Sequence, residues 1–173
     1  MNKAEAYNAI EKIWELTIKA RALCPLTDSR AIGGTGYISP DWYKARGAVY
    51  FVNLAQPLTA EDVQELNHIG SFVNRSFIIS MIAVLEEHGV LPSKTRPDRS
   101  KDGGGHVQLT KWLRNLFAHG EYEYVAGKPK HEKTHQLLKT LFPERAGGSS
   151  FTTPIDSILE PLKEGVLAYI RAA

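Results

Sequence analysis

Apolar residues recur at helical spacing along most of the chain. Between residues 2 and 23, Ala6, Ile10, Ile13, Trp14, Leu16, Ile18 and Leu23 form a broad stripe among Glu and Lys, with no Pro or Gly inside it. This predicts a first helix, ended at Cys24-Pro25 because proline pushes its predecessor out of the helical region. Over residues 26–56 the pattern gives way to Gly, Ser, Pro and Tyr, with turn signals at Gly33-Gly34-Thr35-Gly36 and Ser39-Pro40-Asp41. With its flanks, about residues 24–58, this reads as a loop-rich insertion. Inside it, Ala48-Val49-Tyr50-Phe51-Val52 fits either a strand or one buried helical turn. Thr59 and Asp62 then resemble a capping box, with Asp in place of the usual Glu. They open a long second helix running to about Glu87, bent near Gly70 and ended by Gly89. Its second half, residues 77–85, is apolar on nearly every side, the pattern of a buried central element.

Two prolines, three consecutive glycines and the charges Lys94, Arg96, Asp98, Arg99, Lys101 and Asp102 make residues 91–105 a mobile, mildly basic loop. From Val107 to about Ala118, Leu109, Trp112, Leu113, Leu116 and Phe117 fall at i, i+3, i+4, i+7 and i+8, one helix face, with Gly120 placed to close it. Tyr122 to Val125 is a short hairpin or an extended arm, followed by a helix over 131–142, a flexible link at 147–150 and a last helix over 154–172. The fold class predicted is an all-α helical bundle with loop-rich insertions, one domain over residues 1–173, without an internal repeat.

Composition narrows the function. A chain of 173 residues with 43% hydrophobic and 23% charged residues is long enough to bury a real core, which excludes disorder. The single cysteine, Cys24, allows no internal disulfide and fits a reducing compartment. The N-terminus mixes acidic and basic residues where an export signal needs a basic start and an apolar run. The longest apolar stretch is less than half of the ~20 residues that span a bilayer. A soluble, cytoplasmic protein without membrane contact is expected. The net charge of +2 does not by itself indicate nucleic acid, so any such case must come from clustered residues.

No phosphate loop and no Gly-x-Ser-x-Gly elbow is present, which removes the usual apparatus of nucleotide and serine hydrolysis. His131-Glu132-Lys133-Thr134-His135 meets the zincin spacing His-Glu-x-x-His. A zinc site would need a third ligand, and Lys128, Lys130, Lys133 and Lys139 would repel a dication, so this stretch reads as a solvated helix face and no metal or cofactor is expected. Arg114-Asn115-Leu116-Phe117-Ala118-His119-Gly120 is the stronger candidate, at the end of the clearest helix. At about 100° per residue Arg114 projects away from the apolar stripe, while Asn115 and His119 are i, i+4 neighbours at its edge. The same sequence also suits a snorkelling Arg114 and a His119 that caps the helix C-terminus. The other Arg and His at similar separation, Arg99 and His106, lie where glycines leave the geometry unset. Trp112 and Phe117 are expected in the core, and Tyr122 and Tyr124 either stack on bases or cover the helix end.

The Arg-Asn-x-x-x-His-Gly string at a helix end, preceded by a long buried helix carrying Ala83-Val84-Leu85-Glu86, resembles the HEPN superfamily (higher eukaryote and prokaryote nucleotide-binding). The likeness covers roughly residues 60–120. It implies a small helical domain, commonly a homodimer, and a metal-independent endoribonuclease of toxin, antiviral or RNA-processing type, with an antitoxin or nucleotidyltransferase as a partner. Arg114 and His119 would be the catalytic pair, Asn115 the polar residue beside the arginine, and Glu86 the weaker match on the preceding helix. The chemistry suits these residue types, because RNA brings its own 2′-hydroxyl nucleophile and cleavage needs proton transfer and charge stabilisation. Histidine titrates near neutrality, and arginine offers a planar fork to phosphoryl oxygens. Nucleotidyltransferase-paired members carry a tyrosine two residues after the histidine; here that position is Glu121, with Tyr122 one later. The alternative implied by the same resemblance is a non-catalytic RNA- or protein-binding module.

Overall fold

A computed structural model describes residues 2–144, 151 and 153–173; the link expected at 147–150 lies outside the described residues. The chain is 62% helical, with six α-helices and one two-stranded sheet among the described residues. In order these are α1 (Lys3–Leu23), β1 (Gly36–Ile38), α2 (Asp41–Lys44), β2 (Phe51–Asn53), α3 (Ala60–Glu87), α4 (Gly104–Ala118), α5 (Pro129–Leu141) and α6 (Glu160–Ala172). Two compact units result, Ile13–Val73 and Met1–Lys12 with Asn74–Ala173. By length and composition α3 is long and apolar enough to cross a membrane, a test that core helices of soluble proteins also pass.

The unit Ile13–Val73 holds the insertion. Of the alternatives left open at residues 48–52, the strand forms, as β2, but it takes in only Phe51 and Val52 of the run and extends to Asn53. It pairs antiparallel with β1 in the register Gly36 with Asn53 and Ile38 with Phe51. The partner strand begins in the Gly-rich turn, where no alternation announces it. The capping box forms as expected: Thr59 Oγ1 accepts the Asp62 N–H at 3.1 Å, and Asp62 Oδ2 accepts the Thr59 N–H at 2.7 Å. Gly70 has a packing role, for a Cβ there would lie 1.6 Å from Nη1 of the buried Arg21. Asn67 ties α3 to the insertion through both the N–H and the carbonyl of Thr27.

In the other unit, α4 packs against α5 and α6. Val107, Leu109, Leu113, Leu116 and Phe117 are buried, each contributing roughly 1.5–3 kcal/mol by leaving water. On α3, Phe77, Ile78, Met81, Ile82 and Leu85 are buried, but Ile79 and Ala83, four residues apart on one face, stay exposed; the helix is not buried on nearly every side. The three consecutive glycines belong to the start of α4, which begins at Gly104, earlier than the apolar pattern indicates. Two of them, Gly103 and Gly104, allow close approach. Gly103, in left-handed conformation, would as Ala place its Cβ 1.8 Å from the Gly165 carbonyl oxygen on α6, and a Cβ on Gly165 would lie 2.2 Å from His106 Cγ. His106 packs edge-on against Phe142, and burial holds its imidazole below the ordinary histidine value against an upward pull from Asp102. It is a packing residue.

The segment between α3 and α4, expected to be mobile, is fastened at several points. Lys111 Nζ donates to the carbonyls of Ser93 (2.7 Å) and Thr95 (2.8 Å), and the Asp98 N–H reaches Tyr169 Oη at 3.3 Å. Helix α5 starts at Pro129, two residues before the predicted position, since proline suits the first helical turn. The last helix opens with a π turn over Ile155–Leu159, where Pro161 has no N–H to continue the regular ladder.

The glycine contacts generate a prediction of opposite signs. Gly165→Ala should lower stability by about 1–3 kcal/mol through overpacking. Gly105→Ala should raise it by roughly 0.5–1 kcal/mol through helix propensity, because its Cβ would meet only Leu141 Cδ2 at 3.5 Å. Urea unfolding midpoints measure both; shifts in the same direction would contradict the close-approach account.

Candidate functional site: a cationic cleft beside the fourth helix

Helix α4 carries a second stripe beside its buried one. Gln108, Trp112, Asn115 and His119, at i, i+4, i+7 and i+11, share a face and line a cleft of about 810 Å³. The facing walls come from the segment before α4, with Lys94, Arg96 and Arg99, and from α5, with Lys130 and Lys133; Lys111 completes the set. Glu121 is the one carboxylate among the described lining residues. Six of the chain's 21 basic residues and one of its 19 acidic residues thus share one concavity, although the whole chain is only at +2. Where such charges stand within about one Debye length of one another, ~10 Å in 0.1 M salt, their potentials add and attract polyanions.

Two of these groups are fixed by their surroundings. Lys111, bonded to the two loop carbonyls, has its ammonium held below the ordinary lysine value chiefly by burial; Glu86 opposes the shift and Arg114 adds to it. Glu121 is held below the ordinary carboxylate value first by Lys128, whose Nζ is 3.3 Å from Oε1, and further by His131, whose Nε2 is 3.4 Å from Oε2. Because His131 Nδ1 accepts the Val125 N–H at 3.1 Å, the ring proton of neutral His131 belongs on Nε2, facing Glu121.

The His-Glu-x-x-His residues lie within α5, and with His131 and Thr134 buried the stretch is not the solvated helix face expected. His131 is buried with Nδ1 occupied as described, Glu132 Oε1 accepts the Gly127 N–H at 3.0 Å, and the His135 ring lies 4.7 Å from that of Tyr124. Burial, with Lys139 adding to it, holds the His135 imidazole below its ordinary value. Among the described residues no group of three or more His, Cys, Asp or Glu is placed to hold a metal ion, so the third ligand that a zinc site needs has no candidate there.

The Arg114 to His119 motif is partly assembled. Arg114 Nη2 lies 3.8 Å from Glu86 Oε2, and its Nη1 donates to Asn115 Oδ1 at 3.0 Å, so Glu86, Arg114 and Asn115 form one chain of contacts. Asn115 and His119 line the cleft, whereas Arg114 and Glu86 are outside its lining. His119 directly follows the last residue of α4, exposed, with its N–H donating to the Leu116 carbonyl at 3.0 Å. Among the described residues no hydrogen bond or ion pair joins its ring to Arg114.

Aromatic positions differ from expectation in one case. Phe117 is in the core, but Trp112 is half-buried and lines the cleft. Tyr122 carries the Arg75 guanidinium 4.2 Å above its ring, and Tyr124 stacks on His135, so both are engaged by the protein's own side chains. Reasoning from sequence left Lys111, Lys130, Lys133, Glu121 and Trp112 out of the site. The signal for the α4 residues was the polar and aromatic stripe 108, 112, 115, 119; for α5 it was the i, i+3 spacing of Lys130 and Lys133. No family model, no curated protein and no solved structure matches the chain.

The Glu121 network sets a pH expectation. A carboxylate with a folded-state pKa below its unfolded value adds stability that is present above the unfolded value and lost as pH falls through the folded one. The Glu121 carboxyl carbon should titrate by NMR below the ordinary glutamate range, and Lys128→Met should move the midpoint up. An unchanged midpoint in that variant would refute the assigned cause.

Proposed function

We propose that the chain is a helical domain of HEPN type that acts as a metal-independent endoribonuclease, with Arg114 and His119 at its centre. The observation that carries this reading is the cationic cleft whose α4 wall ends in Asn115 and His119. A polyanion drawn to six ammonium and guanidinium groups would place its backbone beside the His119 imidazole, an exposed side chain at the end of the α4 wall. His119 takes the proton of a 2′-hydroxyl; the 2′-oxygen bonds to phosphorus, the bond to the 5′-oxygen breaks, and that oxygen takes up a proton. The products are a 2′,3′-cyclic phosphate and a 5′-hydroxyl. Arg114, oriented by Glu86 at 3.8 Å, would turn its guanidinium to the phosphoryl oxygens as charge builds there. A homodimer would bring a second His119 to supply the acid. In this reading the protein is cytoplasmic and its partners are RNA and an antitoxin or nucleotidyltransferase.

A second reading, a non-catalytic RNA-binding module, is favoured by Arg114 standing outside the cleft lining without a bond to His119. Cleavage of mixed single-stranded RNA in EDTA separates the two. The nuclease reading expects cyclic phosphate ends from the native chain and a loss of about 10²-fold or more in His119→Ala and Arg114→Ala, the scale of removing a general acid or base. A folded native chain that binds RNA and does not cut it selects the binding module. Variants that cut as fast as the native chain remove Arg114 and His119 from the centre.

A further inference from the structure

Charge alone does not account for Trp112. Its neighbour Leu113 is fully buried, as a core position should be, while Trp112 on the adjacent stripe remains half-buried. It lines the large cleft and also a second, smaller one of about 220 Å³. The two concavities share three residues, Arg99, Trp112 and Lys133. Trp112 thus borders both concavities, as do the guanidinium-bearing Arg99 and the ammonium-bearing Lys133. Gln136 and Thr140 add an amide and a hydroxyl to the smaller cleft. Thr140 Oγ1 spends its proton on the Gln136 carbonyl, leaving its lone pairs free to accept.

This combination of a flat π face, two flanking cations and a small pocket with hydrogen-bonding groups matches one nucleotide of a single strand. Its base can stack on the ring while adjacent phosphates meet the cations. We propose that Trp112 is a stacking platform for one base of single-stranded RNA, with Arg99 and Lys133 holding the flanking phosphates. The proposal rests on the RNA reading of the large cleft. It adds what that reading lacks, a contact that distinguishes a base-bearing strand from any other polyanion.

The test compares two labelled probes with equal phosphate counts, a 2′-O-methyl oligoadenylate, which cannot be cut through its 2′-oxygen, and an abasic strand. Both are titrated by anisotropy against the full chain and its Trp112→Ala and Trp112→Phe variants, after circular dichroism has established folding. Trp112→Ala should bind the oligoadenylate about tenfold more weakly, within the range of a single base stack, and the abasic strand equally well. Trp112→Phe should recover most of the loss, and indole emission of the native chain should be quenched by the oligoadenylate more than by the abasic strand. Equal affinity of Trp112→Ala and the native chain for the oligoadenylate, or equal losses on both probes, would overturn the platform while leaving the cleft as an RNA site. Failure of the native chain to bind either probe would overturn the RNA reading and the platform with it.

Discussion

The site depends on how closely α4 is seated against α6. Two glycines, Gly103 and Gly165, make that approach possible, since a methyl group on either would run into backbone or into the His106 ring. With the helix fixed there and its Leu109, Leu113 and Leu116 face buried, the neighbouring stripe has one direction left to face. Gln108, Trp112, Asn115 and His119 line the cleft as a consequence of that seating. Packing and the candidate chemistry are two faces of one helix.

Gathering six cations in one concavity is unfavourable in the absence of an anion, so the molecule must hold it together by other means. Lys111 is tethered to the carbonyls of Ser93 and Thr95, which fastens the segment bearing Lys94 and Arg96 to α4. Glu121 introduces one negative charge, itself kept ionised by Lys128 and His131. A polyanion bound there would relieve the repulsion. An RNA backbone is the polyanion that would also bring a 2′-hydroxyl to His119, which is why the cleft favours the ribonuclease proposal over a generic anion site.

Much of the helical framework was legible in the sequence because it follows from local rules. Periodicity located α1, α3 and α4, proline and glycine marked their ends, and the Thr59 and Asp62 cap forms with both reciprocal bonds. What was illegible depended on residues far apart in sequence. β1 pairs with a strand fifteen residues away and has no alternation of its own. Gly103 looks like a loop residue until Gly165, some sixty positions later, supplies the reason for it. Trp112 fits the apolar stripe by spacing, yet sits at its edge, and only the placement of α5 and of Arg99 turns that edge into a wall. Arg114, Asn115, His119 and Glu86 were found as a motif. The contacts among the first two and Glu86, and the separate position of His119 on the cleft, required coordinates.

The most direct test of the central claim is the salt dependence of binding to a labelled 2′-O-methyl single strand, measured for the native chain and for Lys130→Glu with Lys133→Glu. Each phosphate neutralised on a single strand contributes about 0.7 to the slope of log affinity against log salt. A cleft that tracks the backbone predicts a steep slope for the native chain and a shallower one, with weaker binding, for the double variant. Affinity that does not change with salt, or an identical slope in the double variant, would contradict it.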